Sequence, residues 1–290
     1  MEYHQERFND HSLLVFKADT LVAVLPANSE GNTAYSHQGL TYGGLVSNRS
    51  MKLNDFIETF RAILMALQKG GIQTLNLKTI PDIYCTGPNA EIDYIMFLLD
   101  AQLTRRDALV VIDLSEEIMF SNSRSEGCKR AKKHGVHVKE EDDLSSFWNT
   151  ILVPNLNNKY NTDPVHSIEE ISLLKERFPK NIRQFNVYHE NRLVAGTTIF
   201  ESQKVAHAQY ISGNDESSKL GSLDMLYSHL IKEVYNKKNY LDFGISNENE
   251  GRNVNSGLQF WKEGFGARTI TQDFYYIPTV TFNKLEKVML

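Results

Sequence analysis

The sequence predicts an α/β (α+β) chain built from two copies of one unit, each a mixed, mostly antiparallel sheet flanked by helices. Three observations carry that expectation. Apolar spacing switches repeatedly between two-residue alternation and three- or four-residue steps. Six elements follow in the same order in the two halves. Val15-Phe16 is followed, after four residues, by Leu21-Val22-Ala23, and Val187-Tyr188 by Leu193-Val194-Ala195 at the same spacing, 172 positions further on. Repetition of a fixed offset over several elements is the mark of an internal duplication.

In order, Ser12 to Phe16 and Leu21 to Leu25 are apolar, β-branched runs around Lys17-Ala18-Asp19-Thr20 and read as a hairpin. A third extended stretch is expected near Gly39 to Val46. Leu53, Phe56, Ile57, Phe60, Ile63, Leu64 and Leu67 then give an amphipathic helix that Gly70-Gly71 ends. Ile72 to Leu77 alternates as a strand, Ile92 to Leu103 marks a second helix, and Ala108 to Leu114 is a continuous apolar strand. The second half repeats this: a hairpin over Phe185 to Tyr188 and Leu193 to Phe200, a strand Val205 to Ile211, and a helix on Leu223 to Val234. A strand at Tyr240 to Phe243, a short helix Leu258 to Glu263 and a strand Thr269 to Ile277 complete it. The expected division is 1–120 for a first, degenerate copy, 121–182 for a basic helix and connecting segment, and 183–290 for a second copy holding the active cleft.

Composition narrows the class. With 290 residues, 41% apolar and 23% charged, the chain is that of a protein with a real core. No run approaches the roughly 18 to 20 apolar residues of a bilayer span, and Met1 to His11 lacks the basic-then-apolar pattern of a signal sequence, so a cytoplasmic protein is expected. Cys85 and Cys128 form no disulfide framework and stand in no metal spacing; no metal is expected. A net charge of −5 argues against DNA as a partner. One stretch departs from this: Arg124, Lys129, Arg130, Lys132, Lys133 and Lys139 fall within positions 124–139, with His134 and His137, and the acidic run Glu140 to Asp143 follows at once. Such a run is either a solvated helix face or a surface for phosphate.

Two motifs carry the functional reading. Tyr240 to Ala267 runs as a short apolar strand, a Gly turn, a polar loop, a helix start and a lone Lys among aromatics, closing on Phe260-Trp261-Lys262-Glu263-Gly264-Phe265-Gly266. The basic helix reads Arg124-x-x-x-x-Lys129-Arg130-Ala131-x-x-x-Gly135-Val136. The first resembles the Phe-Lys-x-x-x-Gly element of Fem-type acyltransferases, and the second their Arg-x-x-x-Arg-Lys-Ala-x-x-x-Gly-Val element. The order hairpin, strand, helix, strand, helix, strand is likewise similar to the GNAT fold. The resemblance implies two tandem GNAT-like domains and N-acylation of a cell-envelope precursor or amino sugar. It also implies that the fourth and fifth strands of a copy part, and that the acyl donor enters the gap over the first turn of the next helix. Physically, backbone amides at such a gap can hold an ester carbonyl and a helix N-terminus can hold phosphates.

The residues that would serve follow from this. Ser212, Gly213, Lys219, Gly221 and Ser222 stand where the donor would lie; of the Gln/Arg-x-x-Gly-x-Gly/Ala loop of ordinary GNAT enzymes only Gly221 is kept. Acyl transfer to an amine needs a neutral amine, a stabilised oxyanion and a proton for the leaving group. Lys262 is the first catalytic candidate, placed by the resemblance beside the reacting groups. Asp242 on an apolar strand can bind the acceptor amine or polarise water, His166 can be a general base, and Tyr275 the acid for the leaving group. Lys262 also reads as a surface residue covering apolar neighbours, Asp242 as a loop cap, Ser167 with Glu170 as a capping box beside His166, and Tyr275 as core. His37, Tyr42, Arg49, Tyr160, Asn161, Arg252 and Asn253 are acceptor-binding candidates, and Arg124, Lys129, Arg130 and Lys133 candidates for phosphate or tRNA.

The expectation is direct acyl or aminoacyl transfer, with acyl-CoA or aminoacyl-tRNA as co-substrate and no permanently bound cofactor. An inactive GNAT-fold binding or scaffolding protein is the alternative. The acceptor and the oligomeric state are not encoded in any motif.

Overall fold

Alternation and helical spacing place most elements, but not which strands meet. The computed structural model describes residues 6–288, apart from the side chain of Tyr160. The chain divides into two compact units: unit 1 holds the chain up to Asp107, Asn249–Gly251 and the segment from Thr271 on, and unit 2 holds Ala108–Glu248 and Arg252–Ile270. This differs from the division at 120 and 182 read from the sequence. Residues 271 onward, expected in the second copy, fall in unit 1, and 108–120, expected in the first, fall in unit 2. Alternation identifies a strand without saying which neighbour it bonds, so strands that pass from one unit to the other are invisible to it.

In unit 1, β1 (Leu13–Lys17), β2 (Thr20–Leu25) and β5 (Val46–Ser47) form a three-stranded sheet. β3 (Asn28–Glu30) pairs antiparallel with β4 (Thr33–Tyr35), which runs parallel to β6 (Thr74–Lys78). The third extended stretch of the first half is thus β3–β4 at 28–35; the expected one near Gly39 to Val46 is a loop leading into β5. α1 (Leu53–Lys69) buries Phe56, Ile57, Phe60, Ile63, Leu64 and Leu67 on one face, as its spacing dictates. That face packs with Leu25, Leu75, Leu77 and Ile277, each large side chain contributing roughly 1.5–3 kcal/mol. α2 (Glu91–Leu98) adds Ile92, Ile95 and Met96 to the same core.

Unit 2 follows, beginning within β7 (Gln102–Asp113) and continuing with α3 (Asn122–Lys133), β8 (His137–Glu141) and α4 (Ser145–Phe147). A π-helical turn (Trp148–Leu152), α5 (Val153–Tyr160) and α6 (Ile168–Arg177) lead to β9 (Ile182–His189), β10 (Arg192–Glu201) and β11 (Val205–Gly213). Then come α7 (Ser217–Leu220), α8 (Ser222–His229), β12 (Tyr240–Ile245), β13 (Asn247–Glu248), β14 (Asn253–Val254), α9 (Ser256–Glu263) and the start of β15 (Arg268–Pro278), whose remainder pairs with β6 in unit 1. The strand order is β8-β9-β10-β11-β12-β7, antiparallel except for β11–β12. Phe185, Val187, Val194, Leu226, Tyr227, Leu241, Phe243 and Phe265 fill the core.

The duplication is visible in the hydrogen-bond register. Val15 pairs with Ala23 and Phe16 with Leu21, skipping Val22; Val187 pairs with Ala195 and Tyr188 with Leu193, skipping Val194. The 172-residue offset therefore reproduces even the bulge. It extends to Asn28↔Tyr35 against Phe200↔His207, and to Thr33-Ala34-Tyr35 against Val205-Ala206-His207 on the parallel strands. β10 is one long strand where unit 1 has two, β2 and β3, because Pro26 between them has no N–H to donate to a ladder.

Candidate active site

β11 and β12 run parallel for three pairs, Val205↔Tyr240, Ala206↔Leu241 and His207↔Asp242, and then part. β11 continues to Gly213 bonded to β10 alone. The cause lies on both strands. In β12 the Asp242 carboxylate (Oδ1) accepts the Gly244 N–H at 2.7 Å, Gly244 takes φ +70, and the register against β7 shifts between Asp242 and Ile245. In β11 a bulge at Gln209, between Ala208 and Tyr210, bends the strand. The parting strands expected from the resemblance are thus built by an Asp-Gly turn and a bulge.

Beyond the fork lies a cleft of about 470 Å³, lined by the end of β11, the α7–α8 segment and residues of α3, α5 and α9. Asn155 on α5 holds its floor, donating from Nδ2 to Ser212 Oγ (2.8 Å) and to the Gly213 carbonyl (2.7 Å). On one wall Arg124 is ion-paired with Asp224 at 2.5 Å, and the Trp261 indole N–H donates to the same carboxylate oxygen at 3.1 Å. Burial raises the Asp224 carboxyl above its usual range, with Arg124 pulling the other way. Helices α3 and α8 meet closely enough that a Cβ on Gly127 would lie 1.7 Å from Asp224 Oδ2. At the mouth, Arg130 donates to the Ser218 carbonyl at 3.3 Å.

Of the donor candidates, Ser212, Gly213 and Gly221 line the cleft, Lys219 is exposed outside it, and Ser222 is fully buried at the start of α8. Arg124 and Arg130 line the cleft, whereas Lys133 is exposed on α3 and Lys129 pairs with Glu126 at 2.8 Å.

A second polar group sits at the fork itself. Lys262 on α9 is 2% exposed, and its ammonium donates to the carbonyls of Gly244 (3.1 Å) and Ile245 (2.6 Å), the residues that turn β12 away. Loss of water pushes the amine down to about 8, partly opposed by Asp242. It is neither a solvated surface residue nor a cation with its donors turned to solvent. Asp242 is wholly buried and its Oδ2 lies 3.0 Å from His207 Nδ1. Sequence reasoning missed His207; a His breaking an otherwise apolar strand opposite an Asp in the repeat register was the available signal.

The other candidates lie elsewhere. His166 is buried, Nδ1 2.7 Å from the Tyr210 hydroxyl, and Ser167 with Glu170 forms a complete capping box on α6. Tyr275 is in unit 1, donating to Asp273 at 3.0 Å; burial and Asp273 push its hydroxyl up to about 12. His37, Tyr42 and Arg49 are also in unit 1: His37 accepts the Gly39 N–H at 3.1 Å, Tyr42 packs on Tyr84 at 4.2 Å, and Arg49 is exposed. Asn161 ends α5 in a left-handed conformation, Tyr160 precedes it with a side chain outside the described residues, and Arg252 and Asn253 are exposed near β14. In unit 1 the corresponding fork at Tyr35 and Asn76 is closed by residues 36–44. Ser36 Oγ accepts the Lys78 N–H at 2.8 Å, Lys78 Nζ donates to the Leu40 carbonyl at 2.6 Å, and Gly43 leaves no space for a side chain against Ser36.

No protein-family model matches the sequence, and no curated protein matches it. Solved structures do. The chain is similar to FemX (TM-score 0.64, 10% identity, 98% of this chain and 92% of that one). It is similar to L-PGS from Bacillus licheniformis (0.61, 12%, 98% of this chain and 94% of that one). A tandem GNAT protein from the clavulanic acid biosynthesis pathway also matches (0.52, 12%, 96% and 86%). At such identities the likeness is one of fold: the chain has the Fem-like tandem GNAT fold, a mixed α/β architecture. Among the described residues no helix is long and apolar enough to cross a membrane.

Proposed function

We propose that unit 2 transfers an acyl or aminoacyl group from an activated thioester or ester to an amine on a cell-envelope precursor or amino sugar. The observation that carries this reading is the fork: two parallel strands that separate after three pairs, with a cleft beyond them of a size that suits an activated carbonyl and its carrier. A strand edge without a β partner presents amides to a carbonyl oxygen, and the donors are fixed before reaction, where they cost no reorganisation. Attack is direct. Cys128 is a poor nucleophile because burial raises its thiol above the ordinary value, and Ser212 in the cleft is bonded to Asn155, an amide and not a base.

Acyl-coenzyme A and aminoacyl-tRNA are the two donors in play, and the acceptor chemistry is shared by both. Calorimetric titration with coenzyme A, paired with release of labelled amino acid from charged tRNA in the presence of the protein, separates them. Heat in the first selects a thioester, and release in the second selects an ester. Neither signal would leave a binding or scaffolding protein, a reading favoured by one feature, the Arg124 guanidinium being committed to Asp224.

A further inference from the structure

Unit 1 keeps bare an edge that unit 2 covers. In unit 2, β8 runs antiparallel along Gln184 to Tyr188 of β9, and at the 172-residue offset the same stretch of unit 1 is Ser12 to Phe16. There β1 bonds β2 on one side, and among the described residues no strand lies on the other. A groove of about 390 Å³ opens beside it, between the hairpin and α1. The two edges differ in chemistry. β8 carries Lys139, Glu140 and Glu141, charges of the kind that discourage a further strand from adding. β1 reads Leu-Leu-Val-Phe-Lys, and its one charge, Lys17, is drawn to Asp55 of α1 at 2.7 Å. Leu14 and Phe16, alternate residues on its outer face, are 59% and 55% exposed. The register extends this face: Leu14 faces Val24, which faces Val46, and Phe16 faces Leu21, with Leu21 and Val46 also exposed. In unit 2 the matching row, Asn186, Gly196 and Ser212, is met by Glu141, Phe147 and Asn155.

From this we infer that β1 pairs antiparallel with β1 of a second copy of this chain about a two-fold axis, joining the two hairpin sheets into one of six strands. The occupant follows from the strand itself. Centred on Val15, the segment Leu13–Lys17 is its own antiparallel complement, so that Leu14 of each copy lies opposite Phe16 of the other. The row Val46-Val24-Leu14 then runs on into Phe16-Leu21 of the second copy, and its two-fold mate runs the other way. Aromatic and aliphatic pairs across strands are what stabilise a sheet. An isologous contact of this kind closes on itself, so the edge is used up in a dimer and no longer chain of copies grows. The patch is small, at the low end of specific interfaces, below about 1,200 Å² in total, and a reversible dimer in the micromolar range is expected. None of its residues lines the cleft of unit 2, so the contact does not depend on the acyl-transfer reading.

The test is sedimentation equilibrium of the full chain from roughly 1 to 300 µM, a range that spans micromolar dissociation. The wild-type mass should rise reversibly from 33.2 kDa to twice that value and no further. Leu14→Lys combined with Phe16→Lys sets lysines opposite one another at exposed positions, which repels the second strand without touching the core. That variant should stay at 33.2 kDa throughout, with an unchanged circular dichroism spectrum. The register is read by cross-linking in a Cys85→Ser, Cys128→Ser background. A mixture of Leu14→Cys and Phe16→Cys chains should form a disulfide-linked dimer on mild oxidation, and neither variant alone should do so. A wild type that remains at 33.2 kDa at the highest concentration overturns the inference, and the edge is then left to another partner or to none. Association that survives the paired lysines, growth beyond the dimer, or equal cross-linking in each cysteine variant alone overturns it as well. Should the lysine variant not fold, the mixed cross-link decides.

Discussion

Lys262→Met separates a buried catalytic-type lysine from one that merely fills space. The ammonium has lost water and is pushed from the ordinary 10.5 down to about 8 by burial. At about 1.4 kcal/mol per pH unit, the protonated form costs the folded state about 3 kcal/mol. The sign follows from proton counting. Below about pH 8 both folded and unfolded chains carry the proton and the full cost stands. Between about 8 and 10.5 the unfolded chain holds a proton that the folded chain has released, so stability rises with pH, and above 10.5 the cost is gone. Urea unfolding of the wild type and Lys262→Met should be compared at half-unit steps from pH 7 to 10.5. Met cannot bond the Gly244 and Ile245 carbonyls, which sets a constant offset of about 1–3 kcal/mol for each acceptor left bare. The offset is not the test; the slope is. Other lysines and tyrosines titrate in both proteins and cancel, so the difference between the two stabilities should change by about 3 kcal/mol across the window. Parallel curves would mean that Lys262 is solvated, and the site as described would be wrong.

Three further outcomes are expected. Gly127→Ala sets a methyl 1.7 Å from Asp224 Oδ2 and forces α3 and α8 apart, costing about 1–3 kcal/mol in thermal unfolding. Asn155→Ala removes the bonds to Ser212 and Gly213 that hold the cleft floor, so donor affinity by calorimetry should weaken several-fold while the fold, by circular dichroism, is kept. Ser167→Ala breaks the capping box of α6 and should lower stability by about 1 kcal/mol without changing donor binding.

The fold was legible where one element declares itself locally. The heptad-like face of α1, its Gly70-Gly71 end and the Val15 and Val187 hairpins are all in place, because burial on one side leaves a periodic trace. β8 was missed because it is an edge strand whose Lys139, Glu140 and Glu141 suit a side open to water. β3 and β4 were missed because Pro26 shortens the strand that β10 keeps whole. At the fork, Lys262 and Asp242 were singled out by their setting in the Tyr240–Ala267 motif. His207 was not, since its meaning comes from the parallel register that brings strand residues 35 positions apart together. The acceptor candidates His37, Tyr42 and Arg49 sit in unit 1, where residues 36–44 close the fork. No local pattern distinguishes an open fork from a closed one.

The most direct measurement of the central claim follows the donor bond. Labelled acyl-coenzyme A and labelled aminoacyl-tRNA are each mixed with the full chain and an amino sugar, and the label on the amine is counted over time. Label moving from one donor to the amine, dependent on the protein and abolished when the cleft is altered by Asn155→Ala with Gly213→Val, is the predicted result. Both donors left intact, in the presence of a folded chain, would contradict the assignment of acyl transfer to unit 2.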